Sequence, residues 1–493
     1  MRRRVRFLLG HEPIELEAVD PTLTVLEWLR RHAHRRGTKE GCAEGDCGAC
    51  SVIVAEPDDE ADNRRLRYRA VNACIRFVAT LDGCQLLTVE DLKAPDGALH
   101  PAQAAMVEQH GSQCGFCTPG FVMTMAALYH QEPGPPSRQR IDDALAGNLC
   151  RCTGYGPIIE AARKMHATPG ATTHLTEREA EVAARLEAWR DGATFSVGEA
   201  GRSFISPGSL DQLLQLAAQY PEATILAGAT DVGLWVTKQH RVLDPVIWIG
   251  RVPELSTIDE TEDAIRIGAG VTYASAFERL ATLWPTVGEL NRRLGAEQIR
   301  HAGTIGGNIA NGSPIGDSPP WLIAAGATLH LAGIDGRRSM PLEDFFIAYG
   351  RQDRRPGEIV EAVTVPKPET HSTLHCYKIA KRFDQDISAV CAGIRLRFDG
   401  ERISDARIAF GGMAATPKRA ERAEAALTGA PFEEAAFRRA MAALAEDFRP
   451  ISDMRASAAY RLKVAQNLLL KAHVERSTAS ELRLAGRREP AHA

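Results

Sequence analysis

At 493 residues, 44% hydrophobic and 25% charged, the chain exceeds one hydrophobic core and has the composition of a globular protein of roughly three or four domains. A formal net charge of -4 excludes the basic excess that nucleic-acid binding favours. No stretch reaches the ~18 consecutive apolar residues of a membrane helix, and the basic, briefly apolar opening breaks at Gly10, so no export segment is read there and a cytoplasmic protein is expected.

The first module is read over residues 1–92. VRFLLG and IELEAV are strand candidates joined at His11, Glu12 and Pro13, and TVLEWLRRHAH has helical spacing through Leu26 and Leu29. A cysteine loop follows, then the strand SVIVAE, the charged surface connection PDDEADNRRLR and the closing strand QLLTVEDL. Of 11 cysteines, nine lie at or before Cys152 and only Cys376 and Cys391 beyond it, so sulfur chemistry belongs to one end of the chain. In a reducing compartment such clusters are metal or redox centres rather than disulfides.

GCAEGDCGAC sets Cys42-x4-Cys47-x2-Cys50, the spacing of a plant-type [2Fe–2S] loop, among Gly41, Gly45 and Gly48. A loop that turns its N–H groups onto a cluster needs positive φ and room where a Cβ would stand. Cys74 and Cys84 compete for the fourth position; Cys74 is preferred because it follows the strand-like YRAVNAC, whereas Cys84 enters an apolar strand. Zinc is the competing reading, but zinc loops pair their ligands as C-x2-C.

Residues 93–166 read as helical. Pro101 starts a helix, GFVMTMAALYHQ carries Phe121, Met125, Leu128 and Tyr129 on one face, and IDDALAGNLC and GPIIEAARKM follow the breaker EPGPPSR. Cys114-x2-Cys117 and Cys150-x-Cys152 each open a helix, where orphan N–H groups favour thiolates. Two irons suit C-x2-C with C-x-C better than one tetrahedral zinc, which stays as the alternative.

Residues 167–203, with a charged helix TEREAEVAARLEAWR, read as a linker on the surface. From residue 204 to 369 the texture is α/β, starting with a capping-box signature at Ser209 and Gln212. TILAGATDVG is a strand running into a tight turn with Gly228, Thr230 and Gly233. IRHAGTIGGNIANGSPIGDSPP is a second small-residue loop in which Thr304, Asn308 and Asn311 offer hydrogen bonds. Such loops suit a diphosphate or are ordinary turns, and no G-x-G-x-x-G opens a βαβ unit. Residues 370–478 read as a last α+β domain, and 479–493 as a frayed tail.

Together, GCAEGDCGACSV, QCGFCTPGFVMT, NLCRCTGYGPI, KRFDQDISAV and SDMRASAAYR resemble the iron–sulfur/flavin subunits of the molybdenum hydroxylase family, in particular those of bacterial xanthine dehydrogenases, over nearly the whole chain. The resemblance implies a multidomain α+β protein: a β-grasp [2Fe-2S] ferredoxin domain, a four-helix [2Fe-2S] bundle, a vanillyl-alcohol-oxidase-type FAD-binding α/β domain and a C-terminal α+β flavoprotein domain. It implies Cys42, Cys47, Cys50 and Cys74 as ligands of one cluster and Cys114, Cys117, Cys150 and Cys152 of the other. It also implies FAD on two loops: Leu226, Ala227, Gly228, Ala229, Thr230, Asp231 and Val232, then Thr304, Gly306, Gly307, Asn308, Asn311 and Asp317. Ile359, Val360 and Lys378 would line the flavin, with Leu294 packing on the adenine where some relatives place an aromatic ring. Lys381, Arg382, Asp384 and Asp386, with Tyr349 nearby, would border the face where NAD arrives.

The implied function is electron transfer from hypoxanthine or xanthine hydroxylation in purine catabolism, through the helical-domain cluster, the ferredoxin-domain cluster and FAD to NAD+. The molybdenum cofactor is expected in a large partner subunit, in an (αβ)2 heterotetramer. The alternatives are the equivalent subunit of an aldehyde or N-heterocycle hydroxylase, or a non-catalytic iron–sulfur carrier, against which both candidate phosphate loops speak.

Overall fold

The computed structural model describes residues 2–58, 65–167 and 172–478. The tail read over residues 479–493 lies outside them. The described residues form two compact units, one running to Glu254 and returning for Gly295–Gly303, the other made of Leu255–Leu294 and residues 304–478. The cut falls inside the stretch read as one domain over 204–369.

The first unit opens with β1 (Val5–Leu9), β2 (Glu12–Leu16), α1 (Val25–Arg31), β3 (Ser51–Pro57), β4 (Leu66–Asn72) and β5 (Gln85–Leu87). The strands lie in the order β2-β1-β5-β3-β4, with β1 and β5 parallel and the other pairs antiparallel. Thr24 caps α1 by accepting the Glu27 N–H at 3.1 Å. Phe7, Leu8 and Leu9 in β1 and Val52 to Ala55 in β3 are apolar on consecutive positions because both faces of this sheet are covered. Phe7, Val52 and Val54 face one core with Trp28 and Leu29, and Leu8, Ile53 and Ala55 face another.

That second core is helical, formed by α2 (Pro101–Glu108), α3 (Thr118–Gln131), α4 (Arg138–Leu145) and α5 (Gly156–Lys164). The expected apolar face of α3 is buried, but so are Val122, Met123, Ala126 and Ala127. The helix is central, lying between the sheet and the other helices, and its apolar residues therefore run all round it.

The stretch read as a surface linker holds more structure than expected. The helix Glu179–Ala188 buries Val182, Ala183 and Leu186 in the helical core, and Phe195–Glu199 begins a second sheet with Arg202–Ser206, Val246–Trp248 and Thr224–Leu226, in that order. Phe195, Phe204, Leu226 and Trp248 share their core with Phe7 and Val54, which explains why these strands belong to the first unit.

The second unit has a five-stranded sheet in the order Ile258–Glu260, Ala264–Gly268, Ile359–Pro366, Thr328–Gly333, Gly336–Pro341. Its helix Ser318–Ala325 is wholly buried around Trp321. A meander, Ser372–Ile379, Val390–Asp399 and Arg402–Gly411, carries the helices Glu421–Leu427, Glu434–Asp447 and Ala458–Thr478 on its core side. Among the described residues no helix is long and apolar enough to cross a membrane.

Candidate metal centres and flavin loops

The loop before β3 turns its backbone inward on the thiols. The N–H groups of Glu44, Asp46 and Cys47 donate to Cys42 Sγ at 3.4, 3.3 and 3.3 Å, and the Cys42 N–H donates to Cys47 Sγ at 3.3 Å. Gly45 and Gly48 sit at φ of +78° and +67°, where a side chain is strained, and a Cβ on Gly41 would lie 2.6 Å from Cys47 Sγ. The Cys42 thiol meets those of Cys47 and Cys74, and Cys74 meets Cys50. Contacts from the Cys47 and Cys74 thiols and the loop N–H groups hold Cys42 far below the usual thiol range, in spite of burial. Cys84 stands apart, its Sγ donating to Glu56 Oε1 at 3.3 Å.

The second set forms two pairs, Cys114 with Cys152 and Cys117 with Cys150. Cys117 is the cap residue of α3, whereas three residues separate Cys152 from α5, including Tyr155 at φ +68°. The second pair therefore precedes a turn rather than opening its helix directly. The Tyr155 hydroxyl accepts the Cys150 N–H at 3.0 Å, and Cys150 Sγ lies 3.1 Å from Thr153 Oγ1. Burial and the Cys150 thiol push Cys117 up to about 12, while the Phe116 N–H lowers Cys114. Cys114 and Cys152 are exposed, beside exposed Phe116 and Leu149.

Among the described residues no group of three or more His, Cys, Asp or Glu is arranged around a point that a metal ion would occupy. A [2Fe–2S] core takes two thiolates on each iron, four in all, and each set brings four thiols together, the first as a connected row Cys47–Cys42–Cys74–Cys50 and the second as two pairs. The residues fit that group.

In the first unit, strand Thr224–Leu226 leads into the turn read as a phosphate loop and then the helix Val232–Thr237. Ala229 has φ +62°, and a Cβ on Gly228 would lie 1.7 Å from the Ala302 carbonyl oxygen, so Gly228 serves a chain crossing. Asp231 Oδ2 accepts the Trp235 indole N–H at 3.0 Å. The far end of the helix reaches the cysteine loop: Thr237 Oγ1 donates to the Ala43 carbonyl at 2.8 Å and Lys238 Nζ to that of Cys42 at 2.5 Å.

In the second unit, the Gly-rich stretch is a helix, Ile305–Asn311, rather than an open loop. Thr304 Oγ1 accepts the Gly307 N–H at 2.9 Å, and Gly306 packs on Ala269, where a Cβ would lie 2.4 Å from Cα. Asn308 Oδ1 is buried without a partner, an orphaned acceptor that a ligand donor would satisfy. Asn311 is exposed, and its carbonyl accepts from Gln352 Nε2 at 3.2 Å. Asp317 and Lys378 meet each other at 2.5 Å, both buried, with Ser388 Oγ donating to Asp317. Ile359 and Val360 begin a buried strand, and Leu294 packs against the same core.

The charged loop satisfies much of its own polarity. Asp386 accepts the Arg382 and Ile387 N–H groups at 2.9 and 3.1 Å, which lower its carboxyl against the effect of burial. Lys381 Nζ donates to the Met454 carbonyl at 2.8 Å, Gln385 beside Asp384 has φ +51°, and Tyr349 is 76% exposed in a hairpin. Sequence reasoning missed Asn148, Thr124 and Gln298, buried polar residues around the cysteine motifs; Asn148 in GNLC was the available signal.

Two domains that each gather four thiols, ahead of flavin-type loops, define an iron–sulfur flavoprotein. Four families match in chain order: the 2Fe-2S iron-sulfur cluster binding domain at residues 8–79, the [2Fe-2S] binding domain at 88–163, the FAD binding domain in molybdopterin dehydrogenase at 195–368, and the CO dehydrogenase flavoprotein C-terminal domain at 375–475. In this order the four match the iron–sulfur and FAD domains of molybdenum hydroxylase subunits, and the chain carries two 2Fe-2S-binding domains and an FAD-binding domain.

Xanthine dehydrogenase of Oryza sativa subsp. japonica is 33% identical over 83% of this chain and 35% of its own length. Aldehyde oxidase 2 of Cavia porcellus is 32% identical over 87% of this chain and 36% of its own. The chain therefore spans little more than a third of these relatives. A solved carbon monoxide dehydrogenase chain from Hydrogenophaga pseudoflava is 29% identical, with a TM-score of 0.53, over 55% of this chain and 97% of that one.

Proposed function

We propose that the chain is the electron-transfer and NAD-reducing subunit of a xanthine dehydrogenase, working with a molybdenum-cofactor-binding subunit in an (αβ)2 assembly. The observation that carries the reading is the joining of eight thiols into two sets of four ahead of an FAD-binding domain, in a chain 33% identical to a xanthine dehydrogenase. When bound, the two clusters would supply a one-electron relay, and FAD the exchange between single electrons and the hydride of a nicotinamide.

The residues of the chain do the holding and the orienting. Cys42, Cys47, Cys50 and Cys74 would hold one cluster, their charge offset by loop N–H groups, and Cys114, Cys117, Cys150 and Cys152 the other. Residues Leu226 to Val232, with Thr304, Gly306, Gly307, Asn308, Asn311 and Asp317, would hold FAD, the Asn308 oxygen meeting a ligand donor. Leu294, Ile359, Val360 and Lys378 would line the flavin, and Lys381, Arg382, Asp384, Asp386 and Tyr349 would border the nicotinamide. The domain limits of this reading are 1–92, 93–166, 204–369 and 370–478.

A second reading has the same chemistry with an aldehyde or N-heterocycle as reductant, favoured by the likeness to aldehyde oxidase 2 and to a quinoline 2-oxidoreductase chain from Pseudomonas putida 86 at 26% identity. The test is two-sided. The chain alone, loaded with iron and FAD, should reduce an artificial dye with NADH and leave xanthine untouched; with the molybdenum subunit it should reduce NAD+ with xanthine. Dye reduction with an inert xanthine half-reaction, but turnover of an aldehyde or quinoline, would select the second reading, and a loaded chain inert toward NADH would remove the NAD role.

A further inference from the structure

Three glycines bring the two cysteine motifs into backbone contact. A Cβ on Gly48 would lie 2.1 Å from the Gly147 carbonyl oxygen, and one on Gly120 would lie 2.2 Å from the Gly48 carbonyl oxygen. At this approach the Leu149 N–H donates to the Cys47 carbonyl at 3.0 Å. One hydrogen bond and the Leu149–Cys150 peptide therefore join a thiol residue of the first set to one of the second.

Beside this junction lies a fully buried polar cluster, with Asn148, Thr124 and Ser51 each 2% exposed and Gln298 1%. Asn148 Nδ2 donates to the Gly48 carbonyl at 3.1 Å and to Ser51 Oγ at 3.4 Å, and its Oδ1 accepts from Thr124 Oγ1 at 2.8 Å and Gln298 Nε2 at 2.9 Å. Gln298 Nε2 also donates to Thr124 Oγ1 at 3.0 Å, and Ser51 Oγ to the Gly48 carbonyl at 2.8 Å. Both lone-pair sites and both protons of the Asn148 amide are thus used, in a place where burial of an unfilled amide is expensive.

The cluster is not optimised for stability, since Gln298 Oε1 stays buried without a partner. A fully apolar packing would avoid that cost. What the polar arrangement adds is direction: it points one amide at the carbonyl of the residue that follows Cys47.

We propose that Asn148, oriented by Thr124 and Gln298, is a positioning residue for electron passage between the two iron–sulfur clusters, clamping the Gly48 carbonyl so that the hydrogen bond from Leu149 to Cys47 stays short. The inference rests on the two-cluster reading given above. The step moves a single electron, oxidising iron in one cluster and reducing iron in the other, with no bond made or broken. Tunnelling through a hydrogen bond is steeply sensitive to its length, so a loosened clamp slows the transfer without touching a ligand.

The experiment uses the full chain loaded with iron, as parent, Asn148→Ala and Gln298→Ala. Flash reduction by less than one electron per chain, followed by rapid-freeze EPR, gives the rate at which the electron redistributes between the two signals. Full reduction gives the magnetic splitting between them. Both variants should keep the parental iron content, slow the redistribution by about tenfold and alter the splitting. Gln298→Ala retains the Asn148 donor but frees its orientation, and carries the same test if Asn148→Ala does not fold. Variants that lose only thermal stability, with rate and splitting as in the parent, overturn the inference; a parent showing no pair of [2Fe–2S] signals overturns the two-cluster reading itself.

Discussion

Cys74 and Cys84 are both buried, yet their surroundings differ in kind. Cys74 meets the thiols of Cys42 and Cys50, whereas Cys84 donates to Glu56 beside Arg69 and Arg76. Cys74→Ser should therefore remove one of two EPR signals and take iron from about four to about two per chain. Cys84→Ala should keep both signals and cost about 1 kcal/mol, the worth of one hydrogen bond. Iron analysis and EPR of the two variants check this, and the reverse outcome would make Cys84 the ligand.

Among the elements, α3 is held against the cysteine loop at its Gly120, which lies against the backbone of Gly48. Gly120→Ala should destabilise the chain by about 1–3 kcal/mol, as overpacking against backbone does. Gly134→Ala, where a Cβ meets nothing within 4 Å, is the control and should stay within about 0.5 kcal/mol in urea unfolding.

The same helix carries a pH dependence. His100 Nδ1 accepts the Ala102 N–H, which leaves His100 Nε2 to donate to His130 Nε2 at 3.2 Å. Burial, with the charges of His174 and His166, lowers His130 to about 4, and burial lowers His301 to about 4 as well. With folded values below the unfolded 6.5, the unfolded chain binds more protons between these limits. Stability is whole above about 6.5 and falls as pH drops toward about 4, by up to about 1.4 kcal/mol per pH unit for each histidine. Unfolding midpoints from pH 7.5 to 4.5 should show this slope, and His130→Gln should reduce it; an unchanged slope would place the protons elsewhere.

At the scale of the whole molecule, the eight thiols of the two sets lie in one compact unit and the helix Ile305–Asn311 in the other. Gly307→Val, which puts a branched side chain where the N–H caps onto Thr304, should lower retained FAD by tenfold or more, on the order of the loss of one built contact surface, and leave iron unchanged. Flavin absorbance against iron content measures it. Equal flavin in variant and parent would remove this segment from the FAD reading.

The sequence by itself determined the chemistry of the thiols, because ligand spacing and glycine placement are local properties that a cluster demands of a short loop. It also determined the strands VRFLL and SVIVA and the helices that the cysteine pairs precede, whose apolar patterns hold whichever partner covers them. Only the tertiary structure shows what surrounds each buried cysteine, Cys74 beside the thiols of Cys42 and Cys50 and Cys84 beside Glu56, neighbours far along the chain. It likewise decided that Gly228 and Gly306 serve chain crossings, that Asp317 and Lys378 neutralise each other, and that a supposed surface linker packs Leu186 into a core. Burial and pairing arise from residues brought together by folding, and no local spacing encodes them.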